Sequence, residues 1–218
     1  MRYIQLEDDI LYTPVVTYKY EKNSITCVGT IHIGNTEYYE NIKAVNNIKH
    51  TYVEIANFFD ASTQTVLSYP SAWVNSDIGA AKFVTEAPER VLKKIRKMPD
   101  SVKKLKDKGK DSPEDLNEIM KHIFKFSVKY PKFFSLFAPP VNKKYLVNRR
   151  NNILFNDLSL KIKPQIYENM GIVFGAGHLK GINKYLKQNG YKVESTEWLP
   201  ALNLKTEKKF FDALKAIN

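Results

Sequence analysis

Two stretches near opposite ends of the chain share one pattern, and it constrains the fold more than any other feature. Ile25-Thr-Cys-Val-Gly29-Thr-Ile-His32-Ile-Gly34 and Gly171-Ile-Val-Phe-Gly175-Ala-Gly-His178-Leu-Lys-Gly181 each read as an apolar run, then Gly-x-x-His, then glycine, then helix-type sequence. A short apolar run closed by glycine is the pattern of a buried strand. Strands that pass directly into helices predict an α/β domain: a mixed, largely parallel central sheet with flanking helices. Ligands of such sheets collect outside the carboxyl ends of the strands. Both histidines are delivered there, each just past its own strand.

The rest of the chain is expected to supply further polar groups at the same edge. Val15 to Tyr20 is rich in β-branched and aromatic residues. A four-residue polar loop, 21–24, joins it as a hairpin to the 25–31 strand. A helix follows from residue 36 to about 47, and the 50–55 strand after it. Strand–helix–strand connections place parallel strands side by side, so the 25–31 and 50–55 strands are expected as neighbours, with Glu54 beside His32. Alternation puts Glu54 on the side of Tyr52. The plainer alternative is an edge strand whose glutamate points to water, because a buried carboxylate needs partners.

Residues 57–84 are weakly patterned, with a short strand at 64–69. Residues 85–140 read as a helical insertion or lid within one domain spanning 1–218. Its best-marked helix starts at Ser112-Pro-Glu-Asp115, with a serine cap, proline in the first turn and early acids, and runs to about Lys129. Asn142 caps the next helix, to about residue 163. Val147, Asn151, Leu154, Leu158 and Ile162 form one stripe along it. Asn151 is therefore a polar residue on an apolar face, with Arg150 beside it. Such a residue either ties the helix to backbone or serves a site. A last strand covers 191–199, and a terminal amphipathic helix is expected from Asn203 onward. His50 and His122 read as packed or surface residues.

Charge adds a second theme. The chain holds 34 basic and 23 acidic residues, and Lys93 to Lys110 alone holds nine basic residues against two acids. A solvated helix face is the plain reading; nucleic acid or an anionic surface is the functional one. Cys27 is the only cysteine, which rules out an intramolecular disulfide and a cysteine metal cage. The amino terminus lacks the apolar core of a signal peptide, and no run approaches the roughly 18 apolar residues of a membrane span. The expectation is a soluble intracellular protein or a soluble domain of a longer one.

Two histidines and a carboxylate suit a divalent transition metal with positions left for water and substrate. His32, His178 and Glu54 are the candidate ligands. Glu54 is alternatively a general base, with Arg150 or Asn151 stabilising an oxyanion. The chain contains no His-Glu-x-x-His, phosphate-binding loop, Gly-x-Ser-x-Gly or dinucleotide fingerprint.

Gly29-Thr-Ile-His32-Ile-Gly34, Tyr52-Val-Glu54, Arg150-Asn151, Gly175-Ala-Gly-His178-Leu-Lys-Gly181 and Leu186-x-x-x-Gly190-Tyr-x-Val193 together resemble the TraB/PrgY/GumN family, which includes the TIKI ectodomains. The similarity runs from about residue 14 to 200. It implies a fold related to the EreA/ChaN-like group. It also implies metal-dependent peptidase chemistry, with manganese or cobalt favoured and zinc as a further option, using His32, His178 and Glu54. For the TraB/PrgY branch it implies shutdown of a peptide pheromone in conjugative plasmid systems of Gram-positive bacteria, by cleavage or by non-catalytic capture of the peptide.

Overall fold

The computed structural model describes residues 3–31, 33–45, 50–54, 58–60, 66–77, 89, 113–130, 147–162, 166–209 and 211–212. His32, Asn142, the basic run Lys93–Lys110 and most of the expected 85–140 insertion lie outside the described residues. The chain divides into two compact units. The first comprises Met1–Gln5, Leu11–Phe83 and Lys143–Leu202; the second comprises Leu6–Ile10, Val84–Asn142 and Asn203–Asn218.

The first unit is α/β, with a mixed sheet of mostly parallel strands flanked by helices. In chain order the strands are β1 (Gln5–Glu7), β2 (Ile10–Tyr20), β3 (Asn23–Thr30), β4 (Ile33–Gly34), β5 (Thr51–Val53), β6 (Phe58–Asp60), β7 (Val66–Leu67), β8 (Val74–Asn75), β9 (Asn169–Gly175) and β10 (Lys192–Asn203). The helices are α1 (Thr36–Val45), α2 (Pro113–Lys129), α3 (Arg149–Ile162) and α4 (Leu179–Gln188). The main sheet runs β1-β2-β3-β9-β5-β8, with β10 also paired to β2; β4, β6 and β7 form a small second sheet. β3, β5 and β8 are tied in parallel through β9 and β5, so all four of these strands end at one edge.

Two expectations change here. The strand carrying Glu54 is not the neighbour of β3: β9 lies between them, pairing with β3 on one side and β5 on the other. The crossover through α1 skips one place in the sheet, and a strand from far along the chain fills it. The hairpin loop is also shorter than four residues. β2 and β3 pair as far as Tyr20 with Asn23, which leaves a two-residue turn, and Glu21 takes the left-handed backbone conformation at φ 53°.

Side-chain alternation sorts the core into two layers. Ile25, Cys27, Tyr52, Met170, Ile172 and Phe174 pack with α3 and α4 through Leu154, Leu158, Leu179, Ile182 and Leu186. Val15, Val28, Val53 and Val173 face the other way, onto Tyr38, Tyr39 and Ile42 of α1. The helix following β3 and the helix following β9 therefore cover opposite faces of the sheet. Adjacent strands whose helices leave in opposite directions open a crevice at their carboxyl ends. In this sheet the two strand ends are Thr30 and Gly175, which are paired in register.

β10 continues through Pro200 to Asn203, past the expected end at 199. Among the described residues it pairs only with β2, and an edge strand tolerates proline.

In the second unit, α2 matches the expected helix boundaries. Its Glu118 accepts hydrogen bonds from the backbone N–H groups of Glu207 and Lys208, at 2.7 and 3.1 Å. Lys208 also pairs with Asp115, and its carbonyl meets His122 Nε2 at 2.8 Å. Residues 204–209 are non-helical, so the helix expected from Asn203 does not start there; residues 211–212 are helical, and 210 and 213–218 lie outside the described residues. The N–H of Leu204 goes to the Asp9 carbonyl, that of Lys205 to the Asn203 side chain, and those of Glu207 and Lys208 to Glu118, instead of to i−4 carbonyls. No helix among the described residues is long and apolar enough to cross a membrane.

Candidate functional site

Several chain segments deliver polar groups to the carboxyl edge. Glu54 follows β5 directly and is held to the sheet by its N–H to Val173 O. It is 1% exposed, so it is neither on an edge strand nor turned to water. Its buried carboxylate is matched on both oxygens. Oε1 accepts the Gly175 N–H and lies 3.5 Å from the Thr30 hydroxyl that donates to it. Oε2 accepts from Arg150 Nη2 at 2.8 Å. A Cβ at Gly175 would stand 3.1 Å from Glu54 Oε1, so the bonded carboxylate would have to yield by a few tenths of an ångström.

His178 closes a single 3₁₀ turn, Ala176–His178, between β9 and α4. Its ring is buried, and Nδ1 lies 2.6 Å from Asn151 Oδ1. The amide of Asn151 is oriented by a second bond, in which Nδ2 donates to the carbonyl of His178 at 3.2 Å. Oδ1 is therefore the atom facing the ring, and Nδ1–H donates to it. In the neutral ring this tautomer puts the lone pair on Nε2, 3.8 Å from Glu54 Oε2. Asn151, the polar residue in the apolar stripe of α3, ties that helix to the backbone of His178 and also meets its ring.

Arg150 is engaged by two carboxylates of the chain itself. Its Nε donates to Asp77 Oδ1 and Oδ2 at 2.9 and 3.0 Å, and Nη2 is shared between Asp77 and Glu54. Burial works hardest against its charge. The Asp77 hydrogen bonds and the charges of Glu54 and Asp77 together outweigh that cost and hold the guanidinium above its ordinary pKa. Arg150 thus bridges two carboxylates.

Asp77 and Tyr69 were not anticipated. Asp77 sits just past β8, whose Asn75 pairs with Val53. Its position is fixed by Ser76 N–H to Val53 O at 2.9 Å and by its own N–H to Asn75 Oδ1 at 3.1 Å. The only local signal was an acid at the end of a very short strand in a weakly patterned stretch. Tyr69 carries a phenol raised well above its ordinary pKa by burial first and by the Glu54 charge second, which keeps it protonated.

On the other wall, Tyr38 of α1 accepts the Ile31 N–H at 3.4 Å and donates to Gly29 O at 3.5 Å. It anchors the backbone leading to His32, whose own placement is outside the described residues. Burial pushes the Tyr38 phenol up to about 12, so it stays protonated.

Among the described residues no group of three or more His, Cys, Asp or Glu side chains is placed to hold a metal ion; two such donors, from His178 and Glu54, do face each other. One imidazole nitrogen and one carboxylate oxygen face each other across 3.8 Å, a gap that two bonds of about 2.1 Å each can bridge. The ring is held through its other nitrogen, as metal-ligating histidines are. His50 is not part of this edge: it stacks on Tyr167 at 3.5 Å and its carbonyl binds the N–H of Gly171, at the amino end of β9.

Comparison of the chain with protein-family models, with curated proteins and with solved structures finds no match.

Proposed function

We propose that the protein is a metal-dependent hydrolase that cleaves peptide substrates in the crevice at the carboxyl ends of β3, β9 and β5, on a fold of the EreA/ChaN-like kind. The observation that carries this reading is the pairing of Glu54 with His178. A buried carboxylate faces an imidazole nitrogen at 3.8 Å, and the ring's tautomer is set by Asn151. The resemblance to the TraB/PrgY/GumN family supports it and adds His32 as the second imidazole.

His178, His32 and Glu54 would hold the ion, with manganese or cobalt favoured over zinc. When bound, the ion supplies Lewis acidity toward water and a peptide carbonyl. The chain's own residues do the rest. Asn151 keeps the His178 ring in the Nδ1–H form. Arg150 and the Gly175 N–H fix the plane of Glu54, so its Oε2 faces the ring. Glu54 then either ligates or takes a proton from the attacking water. The Tyr69 phenol stays protonated under the charge of Glu54.

The test is incubation of the purified protein with a mixed peptide pool and Mn²⁺ or Co²⁺, read by mass spectrometry beside His178→Ala. The expected result is new peptide termini with wild type and none with the variant. Intact peptides held in a stable complex after long incubation would replace cleavage with capture of the pheromone-binding kind. Binding of nucleic acid or anionic vesicles that falls steeply with salt, and that His178→Ala leaves unchanged, would instead move the function to the Lys93–Lys110 run.

A further inference from the structure

We infer that Asp77 is a positioning residue for the Glu54–His178 pair and acts on it through Arg150. The inference concerns the site of the proposed hydrolase, but it stands on geometry alone. Arg150 forks onto both oxygens of Asp77 through Nε and Nη2. A planar guanidinium held at two donors has a fixed plane. The same Nη2 reaches Glu54 Oε2 at 2.8 Å, and that is the oxygen facing His178 Nε2. The chain is therefore Asp77 to Arg150 to Glu54 by directional hydrogen bonds, with Glu54 Oε2 then standing 3.8 Å from His178 Nε2. Asp77 and Glu54 have side chains 1% and 0% exposed,.

The anchor at the far end is firm. Asp77 leaves β8 two residues after Asn75, which is in register with Val53 of β5. The Ser76 N–H on Val53 O ties it to the strand that carries Glu54. Two adjacent strands thus present two carboxylates at one edge, and the arginine from α3 lies across both. Without the Asp77 carboxylate, the long arginine side chain has one carboxylate left to satisfy both donors. It then turns its fork onto Glu54, because paired Arg–carboxylate contacts favour two parallel hydrogen bonds. That rotation moves Oε2 relative to the histidine ring. A merely structural Asp77 would lower stability on removal and leave the ring where it is.

The experiment reads the ring nitrogens of His178 by ¹⁵N NMR on the metal-free protein, in wild type, Asp77→Asn and Asp77→Glu. The internal control is His50, at the opposite end of β9. Asp77→Asn keeps the shape but weakens the fork. Asp77→Glu keeps the charge but displaces it by one methylene, and is the variant to rely on if the amide does not fold. The expected result is a displaced Nε2 resonance for His178 in every folded variant, with His50 unchanged. His178 ring signals that coincide with wild type in a folded variant overturn the inference. The signals are read without metal or substrate, so they decide the role of Asp77 whether or not the proposed hydrolase reading survives.

Discussion

Gly181→Ala puts the helix-propensity rule and the site geometry in direct conflict. Gly181 lies in α4, where alanine in place of glycine ordinarily gains up to about 1 kcal/mol. Here the added Cβ would overlap Asn151 Nδ2 and lie 3.5 Å from Asn151 Cγ. The end of a flexible side chain usually yields at little cost. Asn151 cannot, because it is buried and held by two hydrogen bonds to His178. Displacing it loses those bonds, at about 1 kcal/mol each, and leaves buried polar atoms unsatisfied. Overpacking of this kind costs about 1–3 kcal/mol. The losses exceed the gain, so Gly181→Ala is expected to destabilise by about 1–3 kcal/mol. In a chain of this length that lowers Tm by about 2–4 °C per kcal/mol. Urea unfolding measures it. The decisive comparison repeats the change in an Asn151→Ala background, where the obstruction is gone. There Gly181→Ala should become neutral or stabilising by up to about 1 kcal/mol, the sign reversal expected of coupled neighbours. A Gly181→Ala protein as stable as wild type, with Asn151 intact, would refute the reasoning.

Arg150→Met should destabilise by about 3–5 kcal/mol, because it leaves the buried carboxylates of Glu54 and Asp77 facing each other without their cation; denaturant unfolding beside the wild type checks it. Glu118 should make the second unit acid-sensitive. Burial alone would raise its pKa, but the Lys121 hydrogen bond and the backbone N–H groups of Lys208 and Glu207 outweigh that and hold it below the ordinary 4.5. A depressed folded pKa means that its contribution is fully present above the ordinary value and is lost as pH falls through the folded one. The stability difference between wild type and Glu118→Gln should therefore shrink on acidification through that range. A difference that stays constant with pH would contradict the assignment.

Much of this site was legible because local pattern and burial coincide. The two Gly-x-x-His units named the strand ends, and the spacing of Val147, Asn151, Leu154, Leu158 and Ile162 exposed Asn151 as a polar residue in a buried stripe. The glycines had reasons that sequence could not state: a Cβ at Gly29 would stand 2.5 Å from Leu179 Cδ1, so the first motif makes room for the helix of the second. Strand order was not legible, since nothing local to residues 25–55 says that β9 will enter between them. Asp77 was missed for the same reason. Its importance comes from an arginine 73 residues away in sequence, and its own strand is two residues long. The start of the last helix was placed too early because the backbone donors of Lys205, Glu207 and Lys208 are already taken by Asn203 and Glu118.

The account's central claim is that the Glu54–His178 edge holds a divalent ion. The most direct measurement is calorimetric titration of the purified protein with Mn²⁺ and Co²⁺, wild type beside His178→Ala and Glu54→Gln. One site per chain in the wild type, lost in both variants while their folds persist, is the predicted result. Binding of equal affinity in all three proteins, or no binding in wild type, would contradict it.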